Sequence, residues 1–251
     1  MRGLTGKNAI VTGGGGAIGR AISLRLGDEG CGVGVFDIDG EAAAETAHRI
    51  EASGGEASAQ TVDVTDYAAA KTALERFRDD AGACDVLVNN AGWDRYGEFV
   101  DTEPAHWDRV IAINLTSALN MSHAVVPVMK ERGWGRVINM ASDAGRAGPP
   151  GHAVYSACKG ALIAFGKSLA KELAPNGITV NAICPGPNDT PLLEELIPDA
   201  GDREALAQSN PMGRLGVPED IVGLAAFLAS EESAYVTGQA ISVSGGRTTH
   251  G

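Results

Sequence analysis

The sequence predicts an α/β protein whose single doubly wound parallel sheet has about seven strands and carries helices on both faces. Three observations carry this prediction. Short β-branched runs alternate with amphipathic helical stretches, the links between them are short, and the chemically distinctive residues stand where strands end. Strands joined through right-handed helical crossovers lie parallel in one sheet, so the alternation itself predicts the topology.

The first half of the chain repeats a strand and a helix three times before a fourth strand. The predicted strands are 7–12, 32–36, 57–62 and 85–88, and the first two helices are 20–28 and 41–52. Thr65 or Asp66 supplies a side-chain oxygen that can cap the third helix, which ends near Asp80.

The second half continues the pattern with longer links. A helix is predicted from Pro104, a favourable first helical residue, to about Met129. Strands follow at 135–140, 177–183 and 239–243, with helices at 153–173 and 218–228. The polar stretch 188–217 predicts a lid with a short helix near 192–196. Without an internal repeat or linker, we expect one dinucleotide-binding catalytic domain over 1–251, with a substrate loop at about 187–217.

Composition excludes several classes of function. The net charge of −12, without a cluster of Lys or Arg, opposes nucleic-acid binding. No apolar run reaches transmembrane length and the first residues do not resemble a leader, so we expect a cytoplasmic protein with no membrane partner. Cys31, Cys84, Cys158 and Cys184 form no CxxC motif, which predicts reduced thiols, and the scattered histidines predict no metal site.

A glycine-rich loop at 13–19 joins the first strand to the first helix. Backbone N–H groups at such a helix start stabilise a pyrophosphate, whereas the alternative is a plain flexible turn. Asp37 ends the second strand, where a carboxylate accepts hydrogen bonds from ribose hydroxyls and repels a 2′-phosphate. We therefore expect NAD rather than NADP, the alternative being an ordinary turn residue at Asp37.

Tyr155 and Lys159 lie four residues apart in a predicted helix, so both side chains share one face. We expect the Lys159 cation to lower the pKa of the Tyr155 phenol. The alternative is that the pair lies on a solvated helix and has no function. Ser142 ends the preceding strand and Asn114 lies between two apolar residues. Asn114 is then either a solvent-facing residue or a buried polar group with a function.

Together these motifs resemble the short-chain dehydrogenase/reductase family over nearly the whole chain. They stand in order and at family spacing: Thr12-Gly13…Gly19, Asp63-Val64, Asn89-Asn90-Ala91-Gly92, Asn114, Ser142, Tyr155…Lys159, Pro185-Gly186 and Thr237-Gly238-Gln239. The resemblance implies a Rossmann fold, hydride transfer between NAD and a secondary alcohol or ketone, and a homotetramer.

The resemblance also implies residue roles. Tyr155 would be the general acid/base, Ser142 would orient the substrate oxygen, and Lys159 would tune Tyr155 and bind the nicotinamide ribose. Asn114 would hold a water that links Lys159 to solvent. Besides Tyr155 and Lys159, the implied cofactor residues are Gly13, Gly16, Ile18, Gly19, Asp37, Asp63, Val64, Asn90, Ala91, Gly92, Pro185, Gly186, Asn188 and Thr190. Ala17, Asn188 and Ser244 depart from the usual pattern.

Four segments, 89–94, 141–144, 184–193 and 242–246, are similar to the 2-hydroxycyclohexanecarbonyl-CoA dehydrogenase branch of that family. This similarity implies oxidation by NAD of a ring hydroxyl β to a CoA thioester, within a wider class of cyclic 2-hydroxy- or 3-hydroxyacyl-CoA substrates. The alternatives are an NAD-dependent dehydrogenase of a free cyclic alcohol, polyol or hydroxyacid, and a catalytically silent NAD-binding sensor or scaffold.

Substrate contacts are sought close to the strand ends. Trp93, Asp143 and His152 are the candidates, and Asp94 stands beside the first of them. Packing within a loop is the alternative for Trp93, and starting the helix is the alternative for His152. Arg146 and Arg214 could meet CoA phosphates or simply be solvated. Small residues on the Tyr155 helix, including Gly160, would allow close contact between helices of two subunits.

Overall fold

Seven strands form one parallel sheet. They are β1 (Asn8–Thr12), β2 (Gly32–Asp37), β3 (Glu56–Thr61), β4 (Val86–Asn89), β5 (Gly135–Met140), β6 (Ile178–Pro185) and β7 (Ala240–Val243). Their order across the sheet is β3-β2-β1-β4-β5-β6-β7, and every neighbouring pair is parallel. This confirms the predicted fold class. The computed structural model describes residues 1–249, so His250 and Gly251, which the one-domain prediction included, lie outside the described residues.

Helices cover both faces of the sheet. They are α1 (Ala17–Asp28), α2 (Gly40–Ala52), α3 (Tyr67–Ala81), α4 (Pro104–Ile111), α5 (Ser117–Arg132), α6 (Ala144–Ala147), α7 (Ala153–Leu173), α8 (Pro191–Leu196), α9 (Ala200–Gln208) and α10 (Pro218–Ala229). α1, α2 and α10 contribute to the hydrophobic core on one face, and α3, α5 and α7 contribute to the core on the other. Both faces are therefore buried, as parallel sheets require.

Alternation along the strands divides the core between the two faces. Val11 and Val88 pack towards α1, α2 and α10, whereas Ile10 and Leu87 pack towards α3, α5 and α7. All four side chains are fully buried. Because successive side chains of a strand point to opposite faces, a sheet covered on both sides needs apolar residues at every position.

The structure differs from the predicted elements at three places. The single helix expected from Pro104 contains a π-helical turn, Ala112–Thr116, because of a hydrogen-bond shift that residue propensities do not encode. α6 is too short for a periodic pattern to predict. α9 was also missed, although the Asp199 side chain caps it by accepting a hydrogen bond from the backbone N–H of Asp202.

The helical stretch Pro104–Arg132 is long and apolar enough, by length and composition alone, to cross a membrane. Within this stretch, Met121, Val125 and Met129 are buried in the core on one face of the sheet. These three residues repeat every four positions and form the inward stripe of α5.

The sheet has its topological switch point between β1 and β4. The chain runs from β1 outward to β2 and β3, then returns to place β4 on the other side of β1. Loops that follow two such strands diverge and leave a crevice at the carboxyl edge of the sheet. The glycine-rich loop after β1 and the Asn90 segment after β4 therefore lie next to each other.

Candidate active site

A cavity of about 1350 Å³ is lined by the segments that follow the strands. It brings together every predicted cofactor and substrate residue: Gly13, Gly16, Ile18, Gly19, Asp37, Asp63, Val64, Asn90, Ala91, Gly92, Trp93, Asp143, His152, Pro185, Gly186, Asn188 and Thr190. Ser142, Tyr155 and Lys159 line the same cavity. Asn114 is the one predicted catalytic residue that does not line it.

The glycine-rich loop is packed against the segment after β4. A Cβ atom on Gly19 would overlap the carbonyl oxygen of Gly13 and lie 2.6 Å from Asn90 Nδ2. Asn90 Nδ2 donates to the carbonyl oxygens of Thr12 (3.0 Å) and Gly13 (3.1 Å). The Thr12 hydroxyl in turn accepts from the backbone N–H of Asn90 and of Ala91, both at 3.0 Å. Gly19 therefore serves the packing of the two loops on each other.

The start of α1 faces the cavity without a side-chain cap. Gly16 is its N-cap and offers no side-chain acceptor, and Ile18 and Gly19 in the first turn line the cavity. The first backbone N–H groups of a helix have no partner within the helix and carry the positive end of its dipole. This end of the cavity therefore suits an anionic group.

Asp37 is fixed at the carboxyl end of β2. Its Oδ2 accepts from the backbone N–H of Gly15 (2.8 Å) and its Oδ1 accepts from that of Asp39 (3.0 Å). The nearby Arg20 is turned onto the loop, where it donates to the carbonyl oxygen of Gly15 (3.0 Å) and to the Thr46 hydroxyl (3.1 Å). Among the residues that the structure describes, Asp37 has no ion pair, so it presents a negative charge to the cavity.

Tyr155, Ser142 and Lys159 converge at the other end of the cavity. The Ser142 hydroxyl is close enough to the Tyr155 phenol to lower the pKa of that phenol. Lys159 Nζ lies 5.5 Å from the centre of the Tyr155 ring and donates to the carbonyl oxygen of Met140 (2.8 Å). Since Lys159 is 3% exposed, its charge acts in a region with little water.

The pKa values of this pair differ from the sequence prediction. Burial raises the pKa of Tyr155 to about 12, and the hydrogen bond with Ser142 opposes that increase, while Asp94 and Cys158 add to it. Burial lowers the pKa of Lys159 to about 8. The expected lowering of the Tyr155 pKa by Lys159 is therefore wrong for the protein chain by itself, because the spacing argument counted the neighbouring charge and left out desolvation.

Asn114 lies in the π-helical turn and is buried, which excludes the solvent-facing alternative. Its Nδ2 donates to the carbonyl oxygens of Trp93 (2.6 Å) and Val110 (2.9 Å), and its Oδ1 accepts from the backbone N–H of Trp93 (3.3 Å). A Cβ atom on Gly92 would lie 3.1 Å from Asn114 Oδ1 and 3.4 Å from Lys159 Nζ. Asn114 thus holds the Trp93 backbone and approaches Lys159 across a glycine.

The two arginines considered for CoA phosphates are held by other groups of the protein. Arg146 donates to the Ser242 hydroxyl (3.2 Å), which donates to Asp143 Oδ1 (2.5 Å). Arg214 makes two hydrogen bonds to the carboxylate of Asp220, at 2.6 and 2.9 Å, which lower the pKa of Asp220 to about 2. Neither arginine lines the cavity.

Asp143 lines the cavity with little of its surface exposed. It is buried, and its Oδ2 has no hydrogen-bond partner in the described part of the chain. Cys158, close to the reacting groups in sequence, is also buried, and this burial raises the pKa of its thiol. The Cys158 thiol is therefore a packed group and not an activated nucleophile.

Trp93 both packs within its loop and lines the cavity. The guanidinium of Arg109 lies 4.0 Å from the centre of the indole ring, and the His106 ring contacts it edge-on at 5.8 Å. Arg109 itself reaches the cavity. Close by, His152 Nδ1 lies 2.6 Å from Asp94 Oδ2. Sequence reasoning named these residues singly and missed the pairing, which joins loops 58 residues apart.

The lid contributes an apolar wall that sequence reasoning did not resolve into residues. α8, the residue that follows it and α9 line the cavity through Leu192, Leu193, Leu196, Ile197 and Leu206. The spacing of the first three, at positions i, i+1 and i+4 of α8, is a helical pattern that could have predicted this face. The cavity thus has one apolar wall and one polar wall.

Comparison with known proteins places the chain among oxidoreductases. The family model described as enoyl-(acyl carrier protein) reductase matches residues 15–248. Among solved structures, levodione reductase superimposes with a TM-score of 0.93 at 29% identity, covering 97% of this chain and 98% of the other. The agreement extends over the whole sheet and its helices.

Curated relatives cover nearly the full length. Nodulation protein G of Azospirillum brasilense is 42% identical over 96% of this chain and 97% of its own. Acetoacetyl-CoA reductase of Shinella zoogloeoides is 40% identical over 95% and 97% of the two chains. The NAD(+)-dependent 2-dehydro-3-deoxy-L-rhamnonate dehydrogenase of a Sphingomonas species is 38% identical over 97% and 96%.

Proposed function

Because this chain belongs to the short-chain dehydrogenase/reductase family, we propose that it transfers hydride between NAD and a secondary alcohol, with Tyr155 as general acid/base. One observation carries the proposal. Ser142, Tyr155 and Lys159 converge at one end of a cavity whose other end holds the uncapped start of α1. The end with Tyr155 suits the reacting alcohol, and the end with the start of α1 suits the anionic part of the cofactor.

The residues present fit a nicotinamide dinucleotide. The uncapped start of α1 would hold the pyrophosphate, and the absence of a side chain at Gly19 keeps the loop folded against Asn90. Asp37 would accept hydrogen bonds from the adenosine ribose. It would also repel a 2′-phosphate carrying about −2 charge, which is the reason to propose NAD rather than NADP.

In the oxidative direction, Tyr155 removes the proton of the substrate hydroxyl while Ser142 holds the same oxygen in line. Bound NAD supplies the hydride acceptor and a positively charged ring that favours the phenolate. Lowering the pKa of Tyr155 from about 12 towards ~8 takes about 5 kcal/mol of preferential stabilisation of the phenolate. The buried cation of Lys159 contributes to it because charges interact strongly where water is excluded.

For the substrate we propose a cyclic 2-hydroxy- or 3-hydroxyacyl-CoA. The apolar wall of α8 suits a ring, and Trp93, Asp143 and His152 are the proposed substrate contacts on the opposite wall. The similarity to an acetoacetyl-CoA reductase supports a thioester. Residues 187–217 would form the substrate loop of the single catalytic domain, in a cytoplasmic homotetramer whose small residues on α7 face another subunit.

The second candidate is a free cyclic alcohol, polyol or hydroxyacid. The hydrogen-bonded pair Asp94–His152 favours it, because it places polar groups on the cavity wall, and the similarity to a sugar-acid dehydrogenase agrees. A catalytically silent NAD-binding sensor is opposed by the convergence of Ser142, Tyr155 and Lys159.

The test is an NADH absorbance assay with NAD and NADP compared against a panel of hydroxyacyl-CoA esters and free alcohols. Turnover that requires a CoA ester supports the first substrate class, and equal turnover of free alcohols supports the second. Clear NAD binding without turnover of any substrate would leave the sensor as the better description.

A further inference from the structure

His152 lies on the cavity wall with one ring nitrogen fixed by a carboxylate. Its Nδ1 lies 2.6 Å from Asp94 Oδ2, and the two side chains are 23% and 4% exposed. A carboxylate can only accept a hydrogen bond, so Nδ1 carries the hydrogen of this contact. The free ring atom is Nε2, for which residues 1–249 provide no hydrogen-bond partner.

The position of His152 ties it to the reacting group. It is the residue before α7, one helical turn ahead of Tyr155, and the two ring centres are 6.5 Å apart. The Tyr96 ring also contacts the His152 ring edge-on, with the ring centres 5.6 Å apart. Its side chain makes no capping hydrogen bond to α7, so a role in starting the helix does not explain it.

Asp94 explains why the ring holds one orientation. It follows β4 on the segment whose neighbour Trp93 is held by Asn114, so the carboxylate has a fixed backbone. Among the described residues, its only ion-pair or hydrogen-bond partner is His152. A buried polar group of this kind fixes the orientation of its partner, as carboxylates do for histidines in other sites.

We propose that His152, held by Asp94, is a specificity-determining residue that hydrogen-bonds a second oxygen of the substrate. That oxygen would lie one or two carbons from the reacting carbinol, whose own oxygen is held by Tyr155 and Ser142. Nε2 accepts from a hydroxyl when the ring is neutral and donates to a carbonyl or carboxylate when it is protonated. The inference rests on the proposed function and adds the substrate feature that this wall selects.

The first experiment compares three probes with NAD: cyclohexanol, trans-1,2-cyclohexanediol and ethyl 2-hydroxycyclohexanecarboxylate. We expect the wild type to prefer the two probes with a second oxygen. In His152→Ala the kcat/KM ratio of the preferred probe to cyclohexanol should fall about 10- to 100-fold. His152→Gln should restore part of the ratio, because an amide offers both a donor and an acceptor.

The same ratios test Asp94 as a positioning residue. Asp94→Asn should reduce the ratio by less than His152→Ala. Because Asp94 also raises the pKa of Tyr155, the variant should change kcat for all probes alike, so the ratio between probes is the readout of positioning. His123→Gln is the matched control, because that histidine also bonds a polar partner, Tyr67, but lies outside the cavity. The diol and the ester separate an acceptor from a donor role of Nε2.

A binding measurement keeps the proposal independent of turnover. The quenching of NADH fluorescence would report the affinity of the enzyme–NADH complex for 2-hydroxycyclohexanone and for cyclohexanone. If the wild type prefers the hydroxyketone and His152→Ala does not, the result supports the role of His152. This holds even if no probe is oxidised, because the absence of oxidation would contradict only the proposed function. Turnover or binding with ratios unchanged in His152→Ala would overturn the role of His152 and leave the proposed function standing.

Discussion

Gly145 of α6 packs directly on Gly160 of α7. A Cβ atom on Gly145 would lie 2.6 Å from the backbone nitrogen of Gly160 and 2.6 Å from the carbonyl carbon of Lys159. Gly160, which the sequence suggested as one of the small residues for close helix contacts, thus takes part in a contact within the chain. Since Ser142 lies two residues before α6 and Tyr155 lies on α7, this packing holds together the two elements that carry them.

Substitution of Gly145 should therefore disturb the site without touching a reacting group. Gly145→Ala forces two backbones apart, and we expect a stability loss of about 1–3 kcal/mol and a clear fall in kcat. Gly223→Ala is the control, because a Cβ atom there meets nothing within 4 Å in the interior of α10. Denaturant unfolding and steady-state kinetics measure the two effects, and unchanged kcat in a folded Gly145→Ala protein would contradict the prediction.

Tyr155→Phe should lower kcat by about 10²- to 10⁴-fold, the contribution of a positioned acid/base group. NADH binding, followed by fluorescence, should persist. Because burial raises the pKa of Tyr155, we also expect wild-type kcat/KM for oxidation to rise towards alkaline pH. The exposed Tyr235 provides the control Tyr235→Phe. Near wild-type turnover of Tyr155→Phe would exclude Tyr155 as the acid/base.

Lys159 should make stability depend on pH. Burial lowers its pKa from 10.5 to about 8, so between these values the unfolded chain binds a proton that the folded chain does not. Stability relative to Lys159→Met should therefore rise as pH increases from about 8 to 10.5. Thermal unfolding of both proteins across this range tests the sign. Lys167→Met removes an exposed lysine of α7 and is the matched control. A wild-type stability that falls relative to that of Lys159→Met as the pH rises would refute the prediction.

Asp37→Ser should relax the choice of cofactor. Removing the carboxylate removes its repulsion of a 2′-phosphate and its hydrogen bonds to the ribose, so the ratio of kcat/KM for NADP to that for NAD should rise at least about tenfold. Glu41→Gln removes a charge from the exposed start of α2 and serves as the control. An unchanged ratio in Asp37→Ser would mean that another group selects the cofactor.

The sequence predicted the sheet and most of the cavity wall because both depend on local patterns. Apolar runs such as that of β1 and the spacing of Tyr155 and Lys159 are visible in the chain itself. The pKa of Tyr155 was predicted in the wrong direction because desolvation depends on the fold around the residue. The pairing of Asp94 with His152 was missed for a related reason, since a contact between distant loops has no local signature.

The π-helical turn at Ala112–Thr116 amounts to one residue more than an α-helix would hold in the same space. Deleting that residue would give a more regular helix, but it would rotate everything on one side of the deletion by about 100°. Either Asn114 would leave its bonds to Trp93, or Met121 and Val125 would turn away from the core. An insertion or a deletion at this point would therefore break either the hydrogen bonds between Asn114 and Trp93 or the core packing of α5.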